Sequence, residues 1–222
     1  MSILAKDRIN QPACDGGPPG AGAFIKFAIG KNEYAILGKR FGKKWKWTVG
    51  GAMEPGEKNI NTILREVEEE HFFFPHTMPI NYEHNLTKFC FYNKKHNYTT
   101  FMFDNNYFST IEQLNETINE MNNYAKLACS VRQMLLNEIS FDKSIVESFL
   151  KLFIKHLKPE TQFYLTNYSG EKNCPEEIIK DVSNYTEYSE FSMITVQELK
   201  EKVNQGDKTF FGGDKKALDA LL

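Results

Sequence analysis

The sequence predicts an α+β domain, and three observations carry that reading. Four short runs rich in β-branched and aromatic residues, at 23–29 (AFIKFAI), 33–38, 86–91 and 98–103, read as strands. All 14 glycines lie at or before Gly56 or at or after Gly170, and no proline stands between Pro79 and Pro159. The middle of the chain therefore lacks the strongest breakers, which favours helix. Within it, over about 109–158, apolar residues recur every three or four positions.

Taken in order, residues 1–20 end in Asp15-Gly16-Gly17-Pro18-Pro19-Gly20 and read as a flexible leader. The strands at 23–29 and 33–38 are joined by Gly30-Lys31-Asn32, which predicts a hairpin. Residues 41–51 read as a loop that carries both tryptophans and three lysines. Asn59 is the expected N-cap of a helix over 60–71, which Pro75 stops. The Phe-rich strands at 86–91 and 98–103 flank Asn93-Lys94-Lys95-His96-Asn97, where asparagine tolerates the left-handed turn conformation.

Ser109 with Glu112 predicts a capping box. Ile111, Leu114, Ile118, Met121, Ala125 and Ala128 then trace one face of a helix that reaches 135 or 136. A second helix follows Asp142, with Ile145, Phe149, Leu152 or Phe153, and Leu157 on one side. Together they form a helical hairpin. Residues 162–168 read as a strand, and Thr195 with Glu198 opens a helix to about 203. A short helix is expected at the C-terminus, ending at Leu222. No repeat or linker divides the chain, so 21–222 is read as one domain with a helical insertion over about 109–158.

Composition narrows the function. The 222 residues are 41% hydrophobic and 25% charged, which excludes a mostly disordered chain. A formal net charge of -2 disfavours a basic nucleic-acid clamp. No apolar run approaches the ~18–20 residues a membrane span needs. The N-terminus lacks the basic and apolar regions of a secretory signal, so the cytoplasm is the expected compartment. Cys14, Cys90, Cys129 and Cys174 are widely spaced and read as free thiols, not a zinc site. The five histidines form no ligand pattern, and surface or loop roles are expected for them.

The informative stretch is Gly51-Ala52-Met53-Glu54-Pro55-Gly56-Glu57, followed by the helix with Arg65-Glu66-Val67-Glu68-Glu69-Glu70. At about 100° per residue, Ile60, Ile63, Leu64 and Val67 share one face. Glu66, Glu69 and Glu70 share another, and Glu68 projects toward solvent. Three carboxylates in one turn repel each other. A divalent cation removes that penalty, and hard oxygen ligands suit Mg²⁺ or Mn²⁺.

In these residues the chain resembles the Nudix hydrolase family. Its signature is Gly, five residues, Glu, seven residues, then Arg-Glu-U-x-Glu-Glu-x-Gly-U, with U apolar. Gly51, Glu57, Arg65, Glu66, Val67, Glu69, Glu70 and Phe73 match in register, across a box of 23 residues. A looser likeness covers roughly 23–104. Phe72 departs from the signature glycine, and Val49 from a frequent proline.

The resemblance implies an α/β/α sandwich with a mixed sheet. It implies a pyrophosphohydrolase that uses Mg²⁺ or Mn²⁺ and cleaves a nucleoside diphosphate linked to another group: a nucleotide sugar, a dinucleotide or a nucleoside polyphosphate. Glu66, Glu69 and Glu70 would be metal ligands, with Glu57 and Gly51 beside them. Arg65 would orient the cluster, and Gly50 and Gly51 would admit the phosphates. A late acid of the family falls on Glu187, with Glu190 the weaker choice. The catalytic base is then Glu187 or Glu66.

Phe41, Lys43, Lys44, Trp45, Lys46 and Trp47 form a basic and aromatic patch before Gly50. It reads equally as a base-stacking and phosphate-binding surface or as one core tryptophan with solvated lysines. The insertion reads as a lid, a homodimer interface or a partner-binding surface, with its apolar stripe packed on the core. Two rival functions stand beside the hydrolase: a Nudix-fold module that binds a nucleotide or protein without cleaving it, and an RNA 5′-end (decapping-type) hydrolase, which the net charge disfavours.

Overall fold

The computed structural model describes residues 20–40, 44–72, 90–93, 98–105, 107–207, 209–210 and 218–219. The expected leader, the outer part of the third predicted strand and most of the C-terminal helix lie outside these residues. Gly20, read with the leader, is the first residue of a strand.

A seven-stranded sheet forms the centre. Its strands are β1 (Gly20–Ile29), β2 (Asn32–Arg40), β3 (Trp45–Lys46), β4 (Val49–Ala52), β5 (Cys90–Asn93), β6 (Tyr98–Asn105) and β7 (Tyr188–Thr195). The path runs β3-β2-β1-β6-β5, with β4 also on β1 and β7 on β2. The sheet is mixed: β1 and β6 run parallel, and the other pairs are antiparallel. One edge of β1 is shared, its first half pairing with β4 and its second half with β2.

Six α-helices are described: α1 (Asn59–His71), α2 (Ile111–Leu135), α3 (Lys143–Phe153), α4 (Pro159–Thr166), α5 (Glu176–Ser183) and α6 (Val196–Asn204). A 3-10 turn, Ile154–His156, follows α3. None is long and apolar enough to cross a membrane.

Period-two alternation along β1 builds two cores. Ala21, Ala23, Ile25 and Phe27 face a large core with Ile63 and Val67 of α1 and the apolar faces of α2, α3 and α5. Phe24 faces a smaller core with Leu37, Trp47, Met102, Ile194 and Leu199 of α6. Helices thus cover both faces, which is why β1 is buried along most of its length.

The insertion packs on the core, as its stripe predicts: Leu114, Ile118, Met121, Ala125, Ala128 and Val131 of α2 are all buried there. Asn122 fixes α2 to β7 with two hydrogen bonds. Its amide nitrogen donates to the Phe191 carbonyl at 3.1 Å, and its oxygen accepts from the Phe191 N–H at 2.7 Å.

Several expectations are corrected. Residues 41–51 are not one loop, because 45–46 and 49–52 pair with β2 and β1 as short strands. Asn59 is not the N-cap of α1. Lys58 holds that position without a side-chain cap, and Asn59 is buried in the first turn. Helix α1 ends at His71 as expected, but the left-handed Phe72, not Pro75, stops it. The cap of α2 is Thr110, one residue after Ser109, accepting from the Gln113 N–H at 3.4 Å.

Residues 162–168 are not a strand. Thr161, Leu165 and Tyr168 are buried at helical spacing, and Pro159 sits at the first turn of α4, where its fixed φ suits a helix. Helix α5 was not foreseen, although Pro175 followed by Glu176 and Glu177 is a helix start. Asp142 does cap α3, accepting from the Ser144 N–H at 2.9 Å, and Thr195 caps α6.

Candidate functional site

The turn before α1 is built around Glu57. Its Oε2 accepts from the Glu54 N–H at 2.9 Å and from the Thr62 hydroxyl at 2.8 Å, and its Oε1 accepts from Arg65 Nε at 3.0 Å. The Arg65 hydrogen bond is the main reason the Glu57 carboxyl is held down at about 2, against its partial burial. Both oxygens are thus committed to the turn. Arg65 reaches further. Its Nη2 donates to the Ala52 carbonyl at 3.0 Å, and its Nη1 donates to Glu66 Oε1 at 2.8 Å and Glu69 Oε2 at 3.1 Å. One guanidinium therefore ties the loop to two of the three clustered acids, as the resemblance leads one to expect.

The glycine pair lies against Glu70 and Glu66. Gly50 has φ 145°, a region L side chains rarely enter, and a Cβ there would lie 2.3 Å from Gly22 Cα. Its N–H donates to Glu70 Oε2 at 2.7 Å. A Cβ on Gly51 would lie 2.4 Å from Glu66 Oε1. Only glycine lets the backbone lie against these carboxylates. Glu66 and Glu70 are buried, at 8% and 3% exposure. Burial pushes Glu69 up to about 7, opposed by the Arg65 charge and helped by Glu66. Burial also raises Glu70, opposed by Lys46 and helped by Glu66. Glu66 lies close enough to both Glu69 and Glu70 for its charge to raise them.

Glu187 joins them from the far end of the sequence. The β2–β7 ladder sets Arg40 against Tyr188, with a register irregularity at Lys39/Arg40. That irregularity brings Arg40 to Glu187, with which it forms an ion pair. Arg40 Nη2 also lies 4.0 Å from Glu70 Oε1, while Lys46 Nζ lies 3.3 Å from Glu70 Oε1 and 3.6 Å from Glu187 Oε1. Glu190 is turned away, onto Lys39 at 3.1 Å.

The patch before Gly50 divides. Trp47 is 2% exposed and packs edge-on against Phe24 at 5.5 Å, so it offers no face to a base. Trp45 is half-buried beneath Lys39, whose ammonium lies 5.1 Å from its ring. Lys44 is exposed, Lys46 is on the acids, and Phe41 and Lys43 lie outside the described residues.

Glu68 does not project into solvent. Its Oε1 lies 2.5 Å from His156 Nδ1, which joins α1 to the insertion. His71 has no surface role. It is 3% exposed, with Tyr188 and Phe191 beside its ring. Arg40 was missed because only the strand pairing brings it near; its charge at the end of an alternating strand was the available signal.

Burial, with Lys46 adding repulsion, pulls the His71 imidazole down to about 3. The unfolded chain takes up that proton near 6.5. His71 therefore contributes its full share of stability above that pH, and the share is lost as pH falls from there toward 3. The urea midpoint of the wild-type protein is expected to fall between pH 7 and 5, and less steeply in His71→Asn. Equal slopes would remove His71 as the cause.

The residue types suit the divalent ion that the resemblance implies. Glu66, Glu69 and Glu70 offer hard, desolvated oxygens, and Arg65 takes only one oxygen each of Glu66 and Glu69. Among the described residues no group of three or more His, Cys, Asp or Glu side chains is drawn together as a ligand set. Arg65 holds Glu66 and Glu69 on one side, and Lys46 with Gly50 holds Glu70 on the other. Comparison of the chain with protein-family models, with curated proteins and with solved structures gave no match.

Proposed function

We propose that this chain is a divalent-metal-dependent hydrolase of the Nudix type, cleaving the pyrophosphate linkage of a nucleoside diphosphate joined to another group. The observation that carries the reading is the approach of Glu66 and Glu70 to Gly51 and Gly50, with the Gly50 N–H on Glu70 at 2.7 Å. The sheet with helices on both faces is compatible with a Nudix sandwich.

Glu66, Glu69 and Glu70 would hold Mg²⁺ or Mn²⁺. A bound divalent ion neutralises pyrophosphate and makes a nearby water more acidic. Gly50 and Gly51 leave room for phosphate oxygens to come close to the backbone. Glu187 or Glu66 takes a proton from the attacking water. The water oxygen bonds to one phosphorus, the bridging P–O bond breaks, and a phosphate leaves. Arg65 keeps Glu66 and Glu69 in place throughout.

A second reading has its own support: Arg65 already satisfies part of Glu66 and Glu69, which suits a module that binds a nucleotide without cleaving it. A product-release screen with Mg²⁺ and Mn²⁺ across nucleotide sugars, dinucleotides, nucleoside polyphosphates and capped RNA separates the readings. Divalent-dependent release of a nucleoside monophosphate is expected. Binding without release in any class would leave the binding module.

A further inference from the structure

The surroundings of Lys46 are those of a small cation. Its Nζ lies 3.3 Å from Glu70 Oε1, 3.3 Å from the Gly50 carbonyl and 3.6 Å from Glu187 Oε1. These oxygens come from three separate parts of the chain. Tyr188 covers another side, its ring centre 5.8 Å away. The lysine backbone is fixed in β3 by pairing with Gly38 of β2, and its side chain is only 19% exposed. Glu70 Oε2 is taken by the Gly50 N–H, so Oε1, the oxygen facing Lys46, is the one open to competition. A buried carboxylate needs a counter-charge, and Lys46 supplies it, with Arg40 behind.

Resting on the metal reading above, we infer that Lys46 is the resident cation of the acidic site and competes with the divalent ion for Glu70, so that it sets how tightly the ion binds. A unit charge about 4 Å from a carboxylate is worth about fivefold in affinity at the dielectric of water, and more than about tenfold where both are partly buried. Removing the ammonium strengthens the field that draws a divalent cation. It also leaves Glu70 short of charge when no ion is bound.

The test is Mn²⁺ binding to the full chain by titration calorimetry, with no nucleotide present. Lys46→Met binds Mn²⁺ at least about tenfold more tightly than wild type. Lys46→Gln, which keeps a donor for Glu70 without charge, shows the same gain. Lys46→Arg stays near wild type. Lys39→Met, which removes a charge from the next strand without touching Glu70 or Glu187, also stays near wild type. Mn²⁺ raises the melting temperature of Lys46→Met by more than that of wild type. Wild type that binds Mn²⁺ while Lys46→Met and Lys46→Gln bind it equally or more weakly overturns the competition and leaves the metal reading standing. Absence of Mn²⁺ binding in every form overturns both.

Discussion

Glu69→Gln lowers turnover by on the order of 10²–10³-fold at saturating Mg²⁺, with the fold retained. The substitution is the cleanest available at this site. The amide oxygen can still accept the Arg65 Nη1 bond that Glu69 Oε2 accepts at 3.1 Å, so this contact within α1 survives. The change removes one charge from a cluster in which Glu66 and Glu69 already repel. The resting protein therefore loses little stability, and relief of that repulsion offsets part of any loss. On the proposed reading, the chemistry loses a hard anionic ligand. Initial rates over a Mg²⁺ series, with urea denaturation of both proteins, check the pair of expectations. Full activity at saturating Mg²⁺ would take Glu69 out of the ligand set. Glu70→Gln is a poorer probe, because its amide nitrogen would face Lys46 or the Gly50 N–H, donor against donor.

What the sequence disclosed follows from range. Gly50, Gly51, Glu57, Arg65, Glu66, Glu69 and Glu70 lie within one short strand, the turn after it and one helix, a stretch in which spacing goes far to set which side chains meet. The β1–β2 hairpin was legible for the same reason: its pairing closes at Ile29 and Asn32 around Gly30, which has φ 61°. Glu187 was placed near the site only by resemblance, and the β2–β7 ladder is what brings it there. Arg40 and the true neighbours of Lys46 depend on that ladder and on β3, a strand of two residues that no periodicity can announce. The fate of Trp47 depends on the second core, formed with α6 and β6 from distant parts of the chain. The misreading of 162–168 has the opposite cause. Its aromatic and β-branched residues carry strand propensity, but burial of Thr161 and Leu165 against the insertion decides the segment.

Phe72→Ala costs about 3–5 kcal/mol, and Phe72→Gly costs less than Phe72→Ala by about 1 kcal/mol. This order reverses that of a helix interior, where glycine is the worse residue by roughly 0.5–1 kcal/mol. Phe72 ends α1 with φ 56° and ψ 25°, its N–H closing on the Glu68 carbonyl at 3.1 Å. A non-glycine residue in that region costs about 1–2 kcal/mol. The ring offsets this: it is 4% exposed and meets Tyr124 of α2 at 6.0 Å, Phe153 of α3 at 5.8 Å and Phe191 of β7 at 5.7 Å, each edge-on. The insertion thus supplies two of the three rings that hold phenylalanine where the resembled signature has glycine. Truncation to alanine forfeits the ring and keeps the backbone strain. Truncation to glycine forfeits the ring and releases the strain. Urea midpoints with a common m-value measure the difference. If glycine proves the worse of the two, the left-handed exit is not maintained in solution, and the helix that presents Glu69 and Glu70 must leave the site by another path.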